Sequence, residues 1–160
     1  MHPSRSLHVD SYEALTEAMA DFHDERFDLD SMAFDPDQRC WSGRFYRRVY
    51  DDARTTREHS GVESREYFPV VECTLRLYNV MACRVRDRAQ IGKYTFNECE
   101  STDTGCTLSF CESLDIDIDV DGSITGNLNE HELDQRGYVL KWGLAQSGIR
   151  LEGIDQMMKP

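Results

Sequence analysis

A chain of 160 residues with 18 Lys+Arg against 30 Asp+Glu carries a formal net charge of −12. The length suits one domain over residues 1–160, and 39% hydrophobic with 10% aromatic residues excludes a disordered chain. Such acidity argues against a nucleic-acid partner, and no apolar run approaches the ~20 residues that span a bilayer, so no membrane partner is expected either.

The start, Met-His-Pro-Ser-Arg-Ser, lacks the apolar stretch of a secretory signal, and His2 is not the glycine that myristoylation needs. With six cysteines, this predicts a cytoplasmic protein whose thiols stay reduced. Tyr12, Leu15, Met19 and Phe22 form one stripe of a 3.6-residue period, which predicts a helix over about 11–22. Asp10 is the expected cap, with Glu13 three residues on.

The period then changes to two. Residues 27–34 and 40–50 alternate around the turn Asp35-Pro36-Asp37 and read as an antiparallel hairpin. Residues 51–65 are charged and almost without apolar anchors, so they read as a long polar loop. Further strands are expected at 68–80 (continuing through Val85), 94–100 and 107–112. Residues 114–120 follow, where Leu114, Ile116, Ile118 and Val120 alternate with aspartates. Asp121-Gly122 signals a hairpin turn, residues 129–137 read as a polar loop, and 138–142 and 149–151 as closing strands. The sum is an α+β fold: a mainly antiparallel, curved sheet of about seven to nine strands packed by one N-terminal helix.

Charge is segregated along the chain. Residues 10–37 hold ten acids and one base, residues 39–93 twelve bases and seven acids, and residues 94–135 eleven acids and no base. Of the bases, 15 are Arg, whose planar fork pairs well with carboxylates, so the blocks can neutralise one another across strands. The alternative is an exposed acidic face for a protein with a basic surface. Candidate partner-binding residues are Arg54, Arg57 and His59 in the polar segment and Asp115, Asp117 and Asp119 in the acidic one.

Asp117-Ile-Asp119-Val-Asp121-Gly122-Ser-Ile124 resembles the opening of an EF-hand calcium loop, with hard oxygens at alternate positions and a turn glycine. The loop's twelfth position is Leu128 where a bidentate Glu belongs, so a metal reading needs Glu130 as a displaced ligand beside Asp117, Asp119 and Asp121. In a strand, the same aspartates simply line the solvent face. Other chemistry is thinly represented. Glu130-His131-Glu132 lacks the spacing that sets two histidines on one helix face, and the cysteines lack zinc-ribbon spacing. With no nucleophile elbow and no Gly-rich phosphate loop, neither a catalytic residue nor a cofactor is expected. His23-Asp24, after the helix, reads as a junction held by local hydrogen bonds.

The order helix, Phe22-His23-Asp24, strand, Asp-Pro turn, strand, then Leu75-Arg-Leu-Tyr-Asn-Val80 resembles small bacterial β-rich domains that carry a Phe-His-Asp segment after a short helix. Some of these are grouped with immunity proteins of contact-dependent or polymorphic toxin systems. The resemblance implies no catalytic residues. It implies a non-catalytic, protein-binding module whose acidity suits a basic toxin surface. The other class is a calcium-binding module or metal-dependent enzyme built on the Asp117–Asp121 row. The pattern sets no oligomeric state.

Overall fold

Period-two alternation, with apolar and charged residues taking opposite faces, carries most of this chain into β-structure. The computed structural model describes residues 4–155. Their elements are β1 (Ser4–Val9), α1 (Tyr12–Met19), β2 (Arg26–Asp35), β3 (Cys40–Arg48), β4 (Thr56–Ser60), β5 (Glu63–Asp87), β6 (Lys93–Ser101), β7 (Gly105–Phe110), β8 (Leu114–Trp142), β9 (Ala145–Gln146) and β10 (Arg150–Leu151). The fold is thus a mainly antiparallel sheet with one helix, and the strand count exceeds the expected range.

The sheet closes on itself. β8 pairs with β7, then β6, β2, β3 and β5 follow in order, and β5 returns to β8. Phe27, Phe45, Phe96 and Phe110 fill the ring, with Phe45 lying 4.8 Å from Phe27 and 5.6 Å from Phe96, centroid to centroid. Leu75, Leu108, Ile116 and Ile118 complete that interior. The helix packs onto it through Leu15 and Met19, and a 3₁₀ turn (Ala20–Phe22) adds Phe22. Ser11, in extended backbone, caps the helix by accepting from Ala14 N–H at 3.0 Å, in place of the expected Asp10.

Two expectations fail for physical reasons. Residues 51–65 are not a loop: after a 3₁₀ turn (Asp52–Arg54) they form β4, the turn at Gly61-Val62 and the start of β5. Charged cross-strand neighbours such as Arg57 and Glu66, 2.8 Å apart, replace the apolar pattern that normally marks a strand. Asp121-Gly122 is not a hairpin turn either. Val120 faces Val80 and Thr125 faces Tyr78, so residues 121–124 bulge opposite Asn79 and β8 continues. Gly122, at φ +79°, supplies the left-handed backbone for that bend.

Beyond the bulge, β8 keeps β5 on one side and takes β1 on the other. Residues 129–137, expected as a loop, belong to this strand. Outside the ring, Tyr46, Phe68, Val70 and Val139 pack with Ile149 and Leu151 of the C-terminal segment. Asp155 ties that segment down by accepting from Leu151 N–H, Arg26 and Lys93. Among the described residues no helix is long and apolar enough to cross a membrane.

Candidate functional site

Because β8 alternates, Asp115, Asp117 and Asp119 all face away from the ring interior, between β5 and β7. Those two strands supply the partners. Arg84 reaches Asp119 at 2.7 Å and Arg86 reaches Asp117 at 3.2 Å and Asp115 at 3.6 Å. Thr104 and Thr107 donate hydroxyls to Asp119 and Asp117 at 2.6 and 2.7 Å. The Arg84 hydrogen bond holds the Asp119 carboxyl below its ordinary value. Burial pushes Asp117 up, yet Thr107 and Arg86 outweigh it and leave that carboxyl low as well. The row is a neutralised ladder.

The four residues of the metal reading are not brought together. Asp121 lies in the bulge, 3.8 Å from Arg39. Glu130 sits further along β8, buried, and is gripped by Arg5 at 3.3 Å and Arg47 at 3.1 Å. Among the described residues no group of three or more His, Cys, Asp or Glu side chains is placed to hold a metal ion. The expectation that Glu130 and Glu132 belong to a surface loop is corrected: both are buried, and Glu132 pairs with Arg54. Sequence reading also passed over Glu25 and Asp155. Glu25 is buried against Arg48 at 3.2 Å and Tyr50 at 3.3 Å, and burial raises its carboxyl above the ordinary 4.5. Only their places beside Arg26 and after the closing strand hint at either. His23 donates Nδ1–H to the Asn97 carbonyl at 2.6 Å, and Asp24 N–H bonds Phe96 O at 2.8 Å, so this pair forms the junction between α1 and β2.

Unpaired acids gather elsewhere. Asp10, Glu13, Glu17 and Asp21 follow the helical repeat on the face opposite Leu15 and Met19, and all four are exposed. Tyr12, donating to Cys99 O at 2.8 Å, joins the helix to β6, which adds exposed Glu98 and Glu100. Among the described residues no ion pair reaches any of these six carboxylates.

At the far end of the β5–β8 ribbon the chemistry is reversed. His59, Ser64, Lys141 and Gln146 face one another in register across β4, β5, β8 and β9. They line a hollow of about 210 Å³, together with Arg57, Arg65, Glu66 and Val139. Of the sequence candidates, Arg57 and His59 both line this hollow, whereas Arg54 is taken up by Glu132. The adjoining turns expose Val62 at 79%, Trp142 at 53% and Leu144 at 106%. No family model, curated protein or solved structure matches this chain.

Proposed function

We propose that this protein is a non-catalytic, protein-binding module of the bacterial cytoplasm, immunity-like in that it covers a basic surface of a partner protein. The observation that carries this reading is the contrast between two acidic regions. Asp115, Asp117 and Asp119 already hold arginines, whereas Asp10, Glu13, Glu17, Asp21, Glu98 and Glu100 hold none among the described residues. Such an unbalanced patch steers and orients a cationic partner. The docking face therefore moves from the Asp row of β8 to the outer face of α1 and β6. The six cysteines, all free thiols, support a reducing compartment.

The test uses the proteins encoded beside this gene. Each is purified and titrated calorimetrically with the parent chain and with Glu13→Lys/Glu17→Lys. Binding that weakens with salt and fails in the charge-reversed variant supports the reading, with Asp117→Asn/Asp119→Asn binding as the parent does. Equal binding by parent and charge-reversed variant overturns it.

A further inference from the structure

Four hydrogen-bond donors stand in one cross-strand line, each from a different strand: His59 on β4, Ser64 on β5, Lys141 on β8 and Gln146 on β9. None of the four side chains is hydrogen-bonded or ion-paired within the described residues. Arg57 lies one row along and is held by Glu66 at 2.8 Å. Arg65, which also lines the hollow, is held by Glu63 at 2.8 Å. The two nearest carboxylates are therefore already matched, and the charge on Lys141 is left over. Glu66, the one carboxylate in the lining, is taken by Arg57, so in a chain of net charge −12 this hollow keeps a positive charge on Lys141.

We infer that this hollow binds a phosphate group, and that it is a ligand site separate from the acidic face of α1 and β6. Ser64, Gln146 and His59 can each donate a hydrogen bond, and the Lys141 ammonium can only donate and carries the unmatched charge, so a ligand that brings acceptors and negative charge fits best. Donors arriving from four strands around one small volume suit the tetrahedral oxygens of a phosphate better than a planar carboxylate. A hollow of about 210 Å³ takes a compact group of this kind. Val62, Trp142 and Leu144, exposed on the two turns at the end of the same strands, offer apolar contact to whatever carries the phosphate. Gly143 N–H bonds Val62 O at 3.4 Å, which joins the two turns into one rim. The phosphate monoester of a soluble molecule and that of a lipid headgroup share this chemistry.

The experiment titrates the full chain with inorganic phosphate, at ionic strength matched with chloride, and follows the ring signals of His59 and the side-chain signals of Lys141 by NMR. The expected result is a saturable shift at both residues, weakened about tenfold in Lys141→Gln and lost in His59→Gln/Lys141→Gln. Because both residues are exposed, the melting temperature of each variant should match the parent and exclude unfolding as the cause. No saturable shift, or a shift equally strong in the double variant, overturns the inference. A second arm adds phosphatidylcholine vesicles with and without phosphatidic acid. A blue shift of Trp142 emission only with phosphatidic acid assigns the group to a lipid headgroup. Phosphate binding without that shift assigns it to a soluble ligand.

Discussion

The two ends of the long β5–β8 ribbon are built from the same kinds of residue and reach opposite results. Near residues 114–120, charges alternate with Leu114, Ile116 and Ile118, and each of the three aspartates meets an arginine of β5. Near residues 138–142, the row through Ser64 and Lys141 holds polar side chains with one positive charge, and nothing within the described residues pairs with them. A charge ladder that closes on itself cancels most of its own charge and leaves little potential for a ligand. One that stays open keeps its full interaction capacity for something outside the chain. Counting charges along the sequence marks the first end as the binding surface. The charges left unmatched in space lie instead at the second end and on the outer face of α1, the two surfaces the proposals above rest on.

Between those ends lies the aromatic interior, which sets the energetic scale for any comparison. Phe45 contacts Phe22, Phe27, Phe96 and Phe110 and is wholly buried. Phe45→Ala should cost about 3–5 kcal/mol by urea denaturation, through lost burial and a cavity that a closed ring cannot collapse. A cost under about 1 kcal/mol would mean that the ring does not close around these rings.

The next effect comes from buried carboxylates, which separate interior pairing from surface pairing. Buried Glu130 is gripped by exposed Arg5 and partly buried Arg47, so Glu130→Gln leaves the Arg47 guanidinium short of its counter-charge. The expected loss is about 3 kcal/mol, several times that of any single pair in the Asp115–Asp119 ladder. If both sites cost the same, burial is not what distinguishes them.

Acid titration sharpens the contrast further. Burial pushes Asp155 up, but Leu151 N–H, Lys93 and Arg26 outweigh it and leave its carboxyl below the ordinary 3.8. A depressed carboxyl contributes stability that is present above 3.8 and is lost as the pH falls through the folded value. Asp155→Asn should therefore be less stable than the parent near neutrality, with the gap closing below that point, as read from urea midpoints across pH. Glu25 works in the opposite direction: its raised carboxyl takes up a proton more readily when folded, so its contribution grows as the pH falls. A gap that stays constant down to the acid limb would remove the carboxylate of Asp155 from the account.

Most of the fold was visible in the sequence because apolar residues recur every second position from Leu114 to Val120 and at Val71, Cys73, Leu75 and Leu77. What was not visible is carried by polar residues. β4 and the start of β5 are Thr-Arg-Glu-His-Ser and Glu-Ser-Arg-Glu-Tyr, where charge takes the place of hydrophobicity and an apolar period detects nothing. The bulge at 121–124 carries the same Asp-Gly signal as a hairpin, and only the partner strand decides between them. The line His59, Ser64, Lys141, Gln146 joins residues up to 87 positions apart, and no local pattern announces it. The acidic stripe on α1 was present in the charge count, but its lack of partners is a fact of three dimensions.

The smallest expected effect belongs to the ladder itself. Arg84 and Arg86 are half-exposed and Asp117 and Asp119 lie under them, so water screens each pair. Asp117→Asn/Asp119→Asn should cost on the order of 0–1 kcal/mol per pair. The loss is small because asparagine still accepts from Thr104, Thr107 and the arginines, exchanging charge-assisted hydrogen bonds for neutral ones. The same reasoning fixes the response to calcium. With each aspartate turned to an arginine and Glu130 buried on two more, an ion would have to break four existing pairs before it gained a ligand set. The parent should melt at the same temperature with and without calcium, and the double variant should differ from it equally in both conditions. A calcium-dependent rise in the parent that the variant lacks would show that the arginines release the aspartates to a cation, and the ladder would then count as an open site like the one at the other end of the ribbon.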